Sequence, residues 1–227
     1  MGAATALALG AGTVALAGGS SRAGGPTFTH PQRIDNPYLP ITAAKRCEHR
    51  GEEHDGTRTR AVQTVLAKTR RFDVNGQRVD AVVVRDNSFV GGKLVETAFD
   101  YFAQADDGTV YYLGEHVNNL RNGKVIDHNG TWLLGRQTDV PGVAMPGDPQ
   151  LGDQYRFEDV PGVTAESNRV EEVGMRAKVS GRLHTGVIRI QEFIQPEGEI
   201  EYKLYAPGVG KITEYAPDGR AVLRGCL

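Results

Sequence analysis

Apolar and polar residues in this chain do not recur with a helical period. β-Branched and aromatic residues come instead in short runs, such as Val82-Val83-Val84 and Thr97-Ala98-Phe99-Asp100-Tyr101-Phe102. The runs are separated by dipeptides that supply the positive φ of tight hairpin turns: Asn75-Gly76, Gly91-Gly92, Asp107-Gly108, Asn122-Gly123, Asn129-Gly130, Glu197-Gly198 and Asp218-Gly219. Even Gln63 to Arg70, the best candidate for a short helix, reads better as strand. The pattern predicts a mostly β fold: an antiparallel meander forming a strongly curved sheet, a half-barrel or a barrel, with few short helices. Near the end, Ile200, Tyr202, Leu204 and Ala206 alternate with Glu199, Glu201, Lys203 and Tyr205, which predicts one buried face and one wet face. Asp139 to Asp153, with Pro141, Pro146 and Pro149, predicts a long loop. It divides a single domain, residues 26–227, into an N-terminal meander over about 42–135 and C-terminal strands over 154–227.

If each turn has two central residues, paired positions sum to a constant and share a face. One face then reads Ala67, Val84, Phe99 and His116 in one row and Thr69, Val82, Tyr101 and Gly114 in the next, an apolar set expected in the core. The other face places Asp100 directly opposite Glu115, with Lys68, Arg85, Phe102, Leu113 and Trp132 around them. Like charges across a strand pair are destabilising, so a compensating group is expected: Arg85 or Lys68, a shared proton, or a bound cation. Two readings stand. In one, Lys68 and Arg85 neutralise the acids on a solvated face. In the other, the pair lines a pocket floored by Phe102, Leu113 and Trp132, so that Asp100, Glu115, Arg85, Lys68, Phe102 and Trp132 are the candidate ligand-binding residues.

Composition narrows the field. The chain has 227 residues and a net charge of −2, and no Lys/Arg stripe suggests a nucleic-acid partner. Ala3 to Ala17 is apolar but too short to span a bilayer, and small residues flank Arg22 in Ser21-Arg22-Ala23. Residues 1–25 therefore read as a secretory signal, although no positively charged stretch precedes the apolar run. The mature chain is expected outside the cytoplasm, secreted or at the periplasmic or cell-envelope exterior, with no transmembrane segment. In an oxidising compartment Cys47 and Cys226 are expected to form a disulfide, worth about 4–5 kcal/mol in the chain-entropy treatment of so long a loop.

Other constellations carry less. His49, Glu52, Glu53, His54 and Asp55 are the densest group of metal-ligand types, but Gly51 and Gly56 bracket the acids and an exposed hairpin tip is the better reading. No metal and no cofactor is expected. Turn arithmetic puts His116 and His128 on opposite faces. No Gly-x-Ser-x-Gly is present, and Gly208-Val209-Gly210 reads as a turn rather than a phosphate loop.

The segments Asn36-Pro37-Tyr38-Leu39-Pro40, Asp100-Tyr101-Phe102-Ala103-Gln104 and Tyr112-Leu113-Gly114-Glu115 resemble a group of uncharacterised exported bacterial β-rich proteins. The segment Tyr205-Ala206-Pro207-Gly208-Val209-Gly210 also resembles strand endings in envelope proteins with the curved sheet of the lipoprotein carriers. The resemblance implies export and a β fold. The first group carries an aromatic-rich first strand where this chain has Lys45-Arg46-Cys47-Glu48. The functional expectation is an exported protein that binds a small molecule or lipid. The competing expectations are a hydrolase or isomerase that uses Asp100 and Glu115 as acid and base, and a structural or interaction protein without a pocket.

Overall fold

The computed structural model describes residues 25–195 and 198–227. Nearly all of the expected signal segment, and Glu197 of one predicted turn, lie outside the described residues. The first half of the chain forms β1 (Arg46–Glu53), β2 (Arg58–Val74), β3 (Gln77–Val90), β4 (Lys93–Gln104), β5 (Val110–Arg121) and β6 (Lys124–Asp127). Two short strands follow, β7 (Trp132–Leu133) and β8 (Gly142–Met145). The second half forms β9 (Gln154–Val160), β10 (Thr164–Val179), β11 (Arg182–Gln195), β12 (Glu199–Ala206), β13 (Gly210–Ala216) and β14 (Gly219–Cys226). All belong to one antiparallel sheet of order β6-β5-β4-β3-β2-β1-β14-β13-β12-β11-β10-β9, with β7 and β8 pairing with β5. Gln63 to Arg70 is strand, as its pattern predicts.

The two halves join at β1 and β14, where Cys47 lies opposite Cys226 and is disulfide-bonded to it. Beyond this seam the sheet curls, so that one face of the first half packs against the same face of the second. Val82, Val84 and Tyr112 meet Val160, Val170 and Ile188 in this inner core. The curl does not complete a barrel. Its last gap is bridged by β8, which pairs with β5 and lies against β9 so closely that Gly142, beside the Phe157 carbonyl, has no room for a Cβ. The expected loop over 139–153 therefore contains a strand. Gly142–Met145 fills the space beside β5, and Met145 is fully buried there.

The ladder departs from the predicted register at several points, among them β2, where Val65 rather than Ala67 opposes Val84, and two bulges decide the faces around Asp100. The Gly91-Gly92 turn pairs Val90 with Lys93 as expected, but a shift between Ser88 and Phe89 sets Val84 opposite Asp100 instead of Phe99. A one-residue slip moves every later side chain to the other face. Arg85 thus pairs with Phe99, and Lys68 stands 5.0 Å over the Phe99 ring, both away from Asp100. The second bulge is in β5, where Leu113 and Gly114 together oppose Tyr101. Gly114 has φ 126°, and a Cβ there would meet the Trp132 carbonyl oxygen at 2.5 Å, so a side chain is excluded on both counts. The bulge turns Tyr112 inward and sends Leu113 to a second core on the outer face, with Val83, Tyr101 and Phe28.

Three smaller expectations are also corrected. His116 and His128 are stacked at 5.2 Å, because β6 ends at Asp127 and Asn129-Gly130 forms its own turn. The hairpin tip after β1 is confined to residues 54–57, whereas His49 is 4% exposed within the strand. In β12 the polar series Glu201, Lys203 and Tyr205 faces the sheet interior, and Leu204 and Ala206 pack outside with Val187 and Ile212.

Candidate functional site

The curl brings two groups of polar side chains into its interior. The first is acidic. Asp100 and Glu115 are direct partners on β4 and β5, as the turn arithmetic predicts, and Glu158 and Glu166 are direct partners on β9 and β10. The Tyr112 hydroxyl donates to Asp100 Oδ1 at 3.1 Å, and Trp132 Nε1–H donates to Glu158 Oε1 at 3.0 Å. Tyr112 is stacked between Phe102 and Phe157 and meets Trp132 edge-on, so these aromatics join the two halves of the sheet around the carboxyls.

Burial raises all four acids. It pushes Glu115 to about 9, with the charges of Glu158 and Asp100 adding to the effect, and Glu166 to about 8 with help from Glu158 and Glu192. Asp100 is raised well above the ordinary range by burial and by Asp86. Among the described residues no basic side chain is a leading contributor to Asp100 or Glu115, and Lys68 and Arg85 are on the other face. Each pair therefore holds at least one proton at neutral pH, on Glu115 in the first and on Glu166 in the second.

The second group is a stripe across β10, β11, β12, β13 and β1. Lys203 bonds Glu192 and lies 3.7 Å from Glu201, Lys211 bonds Glu214, and His49 Nε2 is 2.9 Å from the Lys211 carbonyl. Burial favours a neutral Lys203, but the charges of Glu192 and Glu214 overcome it and hold the ammonium above the ordinary lysine range. Glu214 is drawn well below the usual carboxylate range, chiefly by Lys211. Burial and the Lys211 charge lower His49 to about 4, so its imidazole is neutral and donates to that carbonyl.

The stripe forms one wall of a cavity of about 180 Å³. Asn168, Glu192, Lys203 and Lys211 line it on the polar side, and Val84, Phe102, Phe157 and Leu223 on the apolar side. Leu39, Pro40 and Ile41 form a strap across it. The strap is anchored by Asn36, which is 1% exposed: its Nδ2 donates to the carbonyls of Gly108 and Pro146, each at 2.9 Å, and its Oδ1 accepts from the Tyr38 and Leu39 amides. Further along, Pro37 accepts from the Gly208 amide and the Tyr38 hydroxyl donates to the Gly186 carbonyl. The Asn36-Pro37-Tyr38-Leu39-Pro40 segment is thus a hydrogen-bonded clamp between the two halves.

Of the six candidate residues, only Phe102 lines this cavity. Asp100 and Glu115 are side by side but buried behind Tyr112, Trp132 is fully buried against Glu158, and Lys68 and Arg85 face outward. The sequence reading missed Lys203, Lys211, Glu192 and Asn168. The alternation in β12 is the available signal, but alternation alone gives its polar face to solvent. Among the described residues no three His, Cys, Asp or Glu side chains form a group able to hold a metal, and no helix is long and apolar enough to cross a membrane. The chain matches no protein-family model, no curated protein and no solved structure.

Proposed function

We propose that the protein is an exported binding protein that holds a small amphipathic molecule between the two halves of its curled sheet. The observation that carries this reading is the cavity itself, with an aromatic and aliphatic wall facing buried charged groups under a strap. A pocket that is mainly apolar with a few convergent polar groups is the usual form of a small-molecule site. Its volume of about 180 Å³ favours a molecule the size of a substituted benzene over a lipid, since engineered apolar cavities of about 150 Å³ take up benzene. The disulfide and the apolar stretch over residues 3–17 support export to a secreted or periplasmic location. Native mass spectrometry of protein purified from its own host tests the reading: a retained compound of low mass is expected. Recovery of the bare chain, together with no response of cavity residues to a fragment library by NMR, would sink it.

A further inference from the structure

We infer that the molecule bound in this cavity carries an uncharged head with both a hydrogen-bond donor and an acceptor, such as a carboxamide, on a flat apolar body. The inference rests on the binding role proposed above and specifies its ligand class. The charges lining the buried end of the cavity are already matched: Lys203 is bonded to Glu192, and Lys211 to Glu214. Glu201, 3.7 Å from Lys203, is not part of the cavity wall, and the rim cations Lys45 and Arg46 are exposed to water. A charged head entering here would lose its hydration and find no free counter-charge, which is costly in a dry interior.

Hydrogen-bonding capacity, by contrast, is left over. Asn168 is 6% exposed and lines the cavity; its side chain reaches the buried Tyr155 hydroxyl opposite it on β9, and its buried Oδ1 has no donor. A bond between these two would still leave the Asn168 amide with further capacity. The Lys211 ammonium has three N–H donors, and its hydrogen bond to Glu214 uses one of them. Asn168 and Lys203 flank Glu192 from the neighbouring strands, so an acceptor for a ligand N–H lies near ammonium donors for a ligand carbonyl. Phe102 and Phe157 on the opposite wall suit a planar apolar body.

NMR titrations of the disulfide-intact protein with benzamide, toluene, benzoate and benzylamine test this. Benzamide is expected to bind about tenfold more tightly than toluene, the worth of one or two well-placed hydrogen bonds, and more tightly than either charged probe. Asn168→Leu should abolish the preference over toluene; if that variant does not fold, the four-probe comparison on the unchanged protein decides alone. Benzoate or benzylamine binding as tightly as benzamide would overturn the uncharged head. Toluene binding as tightly would overturn the polar head and leave the small-molecule reading standing. If none of the four shifts cavity resonances, the ligand class inferred here fails, and the native mass spectrum with the fragment library decides the binding role.

Discussion

Glu115 illustrates how one side chain couples the interior to pH. Its carboxyl shares the interior with Asp100, Glu158, Glu96 and Glu166, and its proton is held to about 9 against an ordinary 4.5. The folded protein thus binds more protons than the unfolded chain over that interval, and the stability due to Glu115, complete below about pH 4.5, is lost as pH rises toward 9. On the acid side, His49 and Glu214 act in the opposite sense, since both resist protonation in the fold until the pH is well below their ordinary values. Thermal melts should therefore show Tm falling between pH 6.5 and 9. Glu115→Gln, which keeps the shape without an ionisable proton, should flatten that fall and raise stability at pH 9 by about 1–3 kcal/mol. An unchanged slope in the variant would show that Glu115 does not carry the effect.

At the scale of elements, the strap and the bulges decide what the strands can present. The bulge at Leu113-Gly114 exchanges Leu113 for Tyr112 on the inner face and so supplies the hydroxyl that bonds Asp100. The strap depends on Asn36, whose side-chain amide makes four hydrogen bonds out of contact with solvent. Replacing it by Ala leaves two carbonyls and two amides without those partners, and a cost of about 2–4 kcal/mol follows from desolvated, unpaired groups. Denaturant melts of Asn36→Ala should show that loss. Hydrogen exchange should show faster opening at the Tyr38 and Leu39 amides before the sheet unfolds; protection there equal to that of the native protein would contradict the clamp.

For the whole molecule, the critical junction is the β1–β14 pairing, the seam between the first and second halves of the chain. The Cys47–Cys226 bond spans a separation of 179 residues and fixes that junction in the unfolded chain as well as the folded one. Its removal in a Cys47→Ser, Cys226→Ser double variant should cost about 2–5 kcal/mol. The cavity has Cys47 and Cys226 in its wall, so a loosened seam should also weaken ligand retention. Equal melting temperatures for the native and double-variant proteins would show that the sheet ladder alone holds the seam.

Strand content and most of the turns were legible in the sequence because they rest on local chemistry, and the disulfide because the chain has two cysteines. The Asp100–Glu115 pairing holds because the loop at Asp107-Gly108, which sets Ala105 opposite Thr109, is one residue longer than a tight turn and the β5 bulge offsets it. Asn75-Gly76 and Gly91-Gly92 demand positive φ wherever they occur, and the residues on either side of a tight turn must pair. What the tertiary structure decided was which face each side chain occupies. One extra residue near Ser88 and another at Leu113-Gly114 reversed faces across three strands, and no residue type in the sequence distinguishes a bulge from a regular pair until the packing partners are present. The charged series Glu201, Lys203 and Tyr205 carries the same lesson. Alternation separates two faces of a strand but does not say which one meets water, and only the curl of the sheet, which encloses Lys203 with Glu192, turned the polar face into a cavity wall.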